Sequence, residues 1–128
     1  MRANRGKDTG LERVVAQALR QAGLTGLRTN WRTPFARADL AVPSARMAIF
    51  VHGCFWHGCG FCQPRRPRAN TSFWEAKFRR NRERDASVRR QLRHVGWTVV
   101  ELRECQIKRD PARQIGRVEV ALGRAMLR

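Results

Sequence analysis

The sequence predicts one α/β (α+β) domain, a small mixed β-sheet flanked by helices, and three observations carry that expectation. Short apolar or β-branched runs closed by turn residues stand at 27–32, 38–42, 47–52 and 97–102. Helical segments precede the first three runs, separate the third from the fourth, and follow the fourth. The 128 residues, 42% of them hydrophobic, supply one core and leave no room for a second, so residues 1–128 read as a single domain.

Each element has a local reason. From Thr9 to Gly23, Leu11, Val14, Val15, Ala18, Leu19 and Ala22 recur every three or four residues, with Asp8 or Thr9 as a cap and Gly23 as a stop. Leu27 to Arg32 alternates loosely and ends at Thr33-Pro34, as a short strand before a turn does. Ala38–Val42 and Met47–His52, separated by Pro43-Ser44-Ala45-Arg46, read as a β-hairpin or two neighbouring strands. Gly53 to Asn70 has no sustained period and reads as a long loop of the kind that carries function. Ser72 and Glu75 have capping-box spacing, opening a polar, Arg-rich helix that runs to about His94 and stops at Gly96. Trp97 to Leu102 reads as the last strand, and Pro111 starts a helix that can reach Leu127.

Charge narrows the function. Twenty-seven Lys plus Arg against ten Asp plus Glu give a net charge of +17, and with enough apolar residues for a core that excess must lie on a folded surface. A polyanion suits such a surface, because neutralised phosphates release condensed counterions. Lys occurs only at 7, 77 and 108, and all other cations are Arg, which grips phosphate or guanine through a planar fork; a GC-rich genome produces the same bias. No apolar run approaches a membrane span. MRANRGKDTG has no hydrophobic signal core, so the expectation is a cytoplasmic protein whose cysteines are thiolates.

Three of the four cysteines, Cys54, Cys59 and Cys62, fall within nine residues of the loop, and Cys105 can complete a tetrahedral four-thiolate set. A structural zinc fits best; an iron–sulfur cluster, a redox pair at Cys59 and Cys62, and plain buried thiols are the alternatives. Asp39 is an acid inside an apolar run, costly to bury without a partner, and a salt bridge to an arginine is its ordinary explanation. His52 and His57 flank Cys54, so a folded loop would hold both imidazoles near the end of the third strand and beside Asp39. A carboxylate on Mg2+ with a histidine base is a workable site for phosphodiester hydrolysis. His94 has no assigned role. Of Phe55-Trp56 and Phe73-Trp74, at least one aromatic in each pair should be exposed, as base stacking or wedging requires, or else the pairs shield the metal. Trp31 and Trp97 read as core residues.

The run Phe50-Val51-His52-Gly53-Cys54-Phe55-Trp56-His57-Gly58-Cys59 resembles the very short patch repair (Vsr) endonucleases. So do Phe73 to Lys77, Asn81 to Asp85, Gly96 to Val100, Glu104-Cys105, Arg37 to Leu40, and Arg2-Ala3-Asn4 with Lys7-Asp8-Thr9. The resemblance is collinear over nearly the whole chain. It implies a restriction-endonuclease-like fold and a Mg2+-dependent nick of one strand, 5′ to the thymine of a T·G mismatch. By this resemblance Asp39 is the metal-binding carboxylate with the main-chain carbonyl of Val51 beside it, His57 the general base, His52 a supporting residue, and Glu12 an acid reaching in from the first helix. Phe55, Trp56 and Trp74 match the family's DNA wedge, and Met1, Arg2, Asn4, Lys7 and Asn81 its other DNA contacts. Cys54, Cys59, Cys62 and Cys105 would hold the zinc, although the family often has a His where Cys59 or Cys62 stands. Thr or Asp is common in the family at the positions of Val51 and His52, and the segment from Trp31 to Asp39 is short.

Two other functions compete: a zinc-stabilised DNA-binding module without cleavage, and a Vsr-like nickase turned against foreign DNA. Expected partners are mismatched double-stranded DNA and, by resemblance, the mismatch-repair protein MutL. The expected setting is the cytoplasm of a bacterium, at the nucleoid, and the expected state a monomer, since a mismatch is asymmetric.

Overall fold

A computed structural model describes residues 5–53 and 69–127, with side chains of the first helix described from Gly10 onward. The element order is α1 (Arg5–Gln21), β1 (Arg28–Arg32), β2 (Arg37–Val42), a 3-10 turn (Pro43–Ala45), β3 (Met47–His52), α2 (Thr71–His94), β4 (Thr98–Arg103), α3 (Glu104–Arg109) and α4 (Pro111–Met126). The sheet order is β1-β2-β3-β4, antiparallel at the first two junctions and parallel between β3 and β4. This is the mixed sheet flanked by helices that the sequence predicts.

The parallel pair follows from the connection. An antiparallel pair closes through a short turn, as β2 and β3 do, whereas a parallel neighbour needs a long crossover, here containing α2. Arg46 takes a left-handed conformation (φ 52°) after the 3-10 turn, and its carbonyl accepts the Thr98 N–H at 2.8 Å, tying the turn to the start of β4.

One sheet face packs Leu40, Val42, Met47, Ile49, Val100 and Leu102 against Val15, Leu19, Ile107 and Val118 of the helices. Leu19, Leu40, Met47, Ile49, Leu102 and Val118 are fully buried. Each is worth about 1.5–3 kcal/mol relative to exposure. On the other side of the sheet, Ala48 and Val99 meet Leu92 of α2, with Phe50, Val88 and Trp97 around them. On α2, Asp85, Val88, Arg89 and Leu92 follow the i, i+3, i+4, i+7 spacing of a single helix face.

Several local expectations change. Helix α1 begins at Arg5, so Asp8 and Thr9 lie within it, and Val14 is exposed because the buried stripe runs through Val15, Ala16 and Leu19. The capping box does not form: α2 starts at Thr71 after a left-handed Asn70 that makes no side-chain cap, leaving Ser72 inside the first turn. Trp31 is not a core residue, since all five residues of the edge strand β1 are exposed. The helix α3 goes unseen in the sequence because six residues show too little period. At α4 the expected Pro111 start holds, and Asp110 caps it by accepting the Arg113 N–H.

Candidate active site

The site is built where two strands part. Pairing between β2 and β3 runs from Val42↔Met47 to Leu40↔Ile49 and goes no further, so at Asp39 the chain has left the ladder. On the other flank, Asn30 (φ 51°) drops out of the β1–β2 pairing opposite Asp39. The Asp39 side chain fills the gap: Oδ2 accepts the Val51 N–H at 2.7 Å. A carboxylate thereby takes the place of a strand carbonyl, satisfying a backbone donor that the splay would otherwise leave without its ladder partner. In an extended strand a residue's N–H and C=O point to the same neighbour, so the Val51 carbonyl also faces the Asp39 side. A half-buried carboxylate and a main-chain carbonyl form a hard, all-oxygen donor pair, which suits Mg2+.

His52, next along β3, lies on the α2 face of the sheet with Phe50. Its Nε2 is 3.1 Å from Glu101 Oε2 on β4, and its Nδ1 is 3.9 Å from Asp85 Oδ2 on α2. Arg89 Nη1 donates to both Glu101 oxygens, at 2.7 and 2.8 Å. The hydrogen bond from His52 is the main reason the Glu101 carboxyl is lowered from 4.5 to about 2; burial opposes it, and the charges of His52 and Arg89 add to the lowering. A cleft of about 210 Å³ opens here, lined by His52, Asp85 and Glu101 and by Ala36, Arg37, Phe50, Arg84 and Val88. Arg37 and Arg84 put positive charge beside a site suited to a phosphate.

The structure thus brings Asp39, Val51 and His52 to one end of the sheet: the N-terminal end of β2 and the C-terminal ends of β3 and β4. Glu12 is half-buried on α1, next to Leu11, which packs on the α1 side of the core. Trp74 is half-buried in the first turn of α2, its ring 5.5 Å from Phe73 and 5.9 Å from the buried Phe78. Phe73 is the more exposed of the pair, at 55%. Asn81 accepts a hydrogen bond from Arg84 on α2. Cys105, half-buried in the first turn of α3, is the one cysteine among the described residues, and no cluster of three metal-ligating side chains occurs among them. Met1, Arg2, Asn4, Cys54, Phe55, Trp56, His57, Cys59 and Cys62 lie outside the described residues, as does the side chain of Lys7.

Comparison with known proteins bears on this arrangement. The family model described as DNA mismatch endonuclease Vsr matches residues 1–63, which include Asp39, Val51 and His52. The DNA mismatch endonuclease Vsr of Escherichia coli K12 is 35% identical over 108 residues, covering 84% of this chain and 69% of that protein. The chain belongs to the Vsr family of DNA endonucleases. Other family relatives are nicking enzymes by name. The type II nicking enzyme V.XorIIP of Xanthomonas oryzae pv. oryzae is 33% identical over 107 residues, covering 84% of this chain and 78% of that protein. V.NaeI of Lentzea aerocolonigenes is 32% identical over 119 residues, covering 86% and 68%. No helix of this Vsr chain's described residues is long and apolar enough to cross a membrane.

The Asp85–His52–Glu101–Arg89 cluster, His52 apart, is not among the site residues that the sequence singles out. Its signal was present: Glu101 is an acid in the apolar run Val99-Val100-Glu101-Leu102, the same feature that singles out Asp39.

Proposed function

We propose that this Vsr-family endonuclease is Mg2+-dependent and nicks one strand 5′ to the thymine of a T·G mismatch, initiating very short patch repair. The observation that carries the reading is the Asp39 carboxylate seated at the parting of β2 and β3 and bonded to the backbone of Val51, the residue before His52. The names of its relatives, a mismatch endonuclease and several nicking enzymes, support cleavage of a single strand.

Asp39 and the Val51 carbonyl would hold Mg2+, which supplies charge stabilisation to a phosphoryl group under attack. Asp39 is fixed in place by accepting the Val51 N–H, so little reorganisation is needed at the moment of reaction. His52 shapes the floor beside the scissile phosphate. His57 has the general-base role through its place in the family motif, and Glu12 the role of a further acid. Cys54, Cys59, Cys62 and Cys105 offer a donor set suited to structural zinc, which would order the Cys-rich loop. Phe55, Trp56 and Trp74 are assigned to the wedge, with Met1, Arg2, Asn4, Lys7 and Asn81 as further DNA contacts.

The β1–β2 hairpin adds a surface on the same sheet end. Its tip is folded tightly by Thr33, whose hydroxyl accepts the Ala36 N–H and whose backbone pairs with the Ala36 carbonyl. Trp31 and Phe35 each leave more than a third of their surface exposed there, near Arg32 and Arg37. DNA with its scissile phosphate at Asp39 runs past this tip, gaining phosphate neutralisation from the arginines. The test is nicking of end-labelled T·G and T·A duplexes with and without Mg2+; wild-type protein should cut the thymine strand of the former only, and Asp39→Asn neither.

A further inference from the structure

His52 reaches the active-site end of the sheet with both ring nitrogens turned towards carboxylates, Glu101 at 3.1 Å and Asp85 at 3.9 Å. Its side chain is 11% exposed, so the ring cannot swing freely into solvent. Glu101 is an unusual partner to find there. Its β4 neighbours Val99, Val100 and Leu102 are buried apolar residues, and an apolar side chain at 101 would be the ordinary choice for a strand beneath a helix. A carboxylate in that place needs compensation, which Arg89 provides, while Arg117 satisfies the backbone of the same residue. Arg89 donates one nitrogen to both carboxylate oxygens, and Arg117 donates to the Glu101 carbonyl at 3.1 Å. The acid is therefore clamped from α2 at its head and from α4 at its backbone.

Within this clamp, Glu101 Oε2 is shared between Arg89 and His52, and an ionised carboxylate only accepts hydrogen bonds. The imidazole must then carry a proton on Nε2 to bond it, and in the neutral ring the lone pair falls on Nδ1, which at 3.9 Å from Asp85 makes no hydrogen bond to that carboxylate. We propose that Glu101, locked by Arg89, is a positioning residue that fixes the ring plane and the proton-bearing nitrogen of His52. The inference rests on the reading of His52 as an active-site residue given above. Glu101 touches no reacting atom; it acts through His52.

The direct test is the nitrogen-15 spectrum of the full chain with its histidine rings neutral, His52 being assigned by loss of its signals in His52→Gln. The wild-type ring should be the Nε2–H tautomer. Paired substitution Arg89→Leu with Glu101→Leu, which leaves no charge behind, should convert it to a mixture of tautomers. In nicking assays the same pair should lower kcat on the order of 10- to 100-fold with KM within about twofold, as loss of orientation does. Glu101→Gln, whose amide oxygen still accepts from Nε2–H, should recover most of that loss. A wild-type Nδ1–H tautomer overturns the proposal whether or not any variant folds, and so does an unchanged kcat in the folded double variant. Wild-type nicking by His52→Ala would instead refute the active-site reading of His52, while the tautomer result still decides the positioning.

Discussion

Asp39 on β2 holds the main-chain N–H of Val51 on β3 at 2.7 Å, at the point where the two strands cease to pair. One carboxylate thus has a structural bond and a proposed metal to serve, and the two can be separated by substitution. Asp39→Asn keeps an acceptor oxygen for Val51 but loses the charge. It should melt close to wild type and lose nicking on the order of a thousandfold or more, whereas Asp39→Ala should also lose about 1–3 kcal/mol through the orphaned N–H. Urea denaturation and single-turnover nicking of both variants check this.

Acid should weaken the fold through Glu101. Its carboxyl sits at about 2 in the folded protein against an ordinary 4.5, so the unfolded chain takes up the proton first as pH falls. The stabilisation from this group is complete above about 4.5 and is lost as pH drops towards about 2. The stability difference between wild type and Glu101→Gln should narrow steadily across that window, read by denaturant midpoints at a series of pH values. A difference that stays constant from about pH 6 to the acid limit contradicts it.

Leu92 is fully buried where α2 meets the sheet, one turn beyond Arg89. Leu92→Ala should cost about 2–5 kcal/mol. Because Asp85 and Arg89 lie on the same helix face, nicking should fall as well, even at temperatures where the variant stays folded. Calorimetry and nicking rates measured below the midpoint test both halves.

The hairpin tip should contribute to DNA affinity rather than to the chemical step. Phe35→Ala should weaken duplex binding by about 1–3 kcal/mol if its ring stacks on a base. Arg32→Gln should flatten the salt dependence by a slope of about 0.9, the share of a single neutralised phosphate. Fluorescence anisotropy over a range of salt concentrations distinguishes the two effects, and unchanged affinity in both variants removes the hairpin from the interface.

Zinc content tests the thiolate set independently of activity. Purified protein should carry about one zinc per chain, and Cys105→Ser should lose most of it. Metal-free, folded wild-type protein would rule the site out.

Much of the architecture is legible in the sequence because periodicity reports burial. The short apolar runs at 38–42 and 47–52 mark strands covered on both faces, the three- and four-residue spacing after Leu11 marks one helix face, and these meet in the core. What is not legible depends on tertiary context. Trp31 looks like a strand core residue, but β1 is an edge strand with little packed on it. Ser72 and Glu75 have capping spacing, yet Asn70 can adopt the left-handed conformation and start the helix at Thr71. Asp39 stands out as an acid among apolar neighbours, although its bond to Val51 depends on where β2 and β3 part, which no local pattern encodes. Glu101 carries the same signal as Asp39; its meaning emerges only when the parallel register and α2 bring His52 and Arg89 to it.

The most direct measurement is a strand-resolved nicking assay with duplexes that differ only at one base pair, T·G or T·A, in Mg2+ and in EDTA. The predicted result is a single nick 5′ to the mispaired thymine, in Mg2+ only, absent from the T·A duplex and lost in Asp39→Asn. Equal cutting of both duplexes, or nicking that survives in EDTA or in Asp39→Asn, would contradict it.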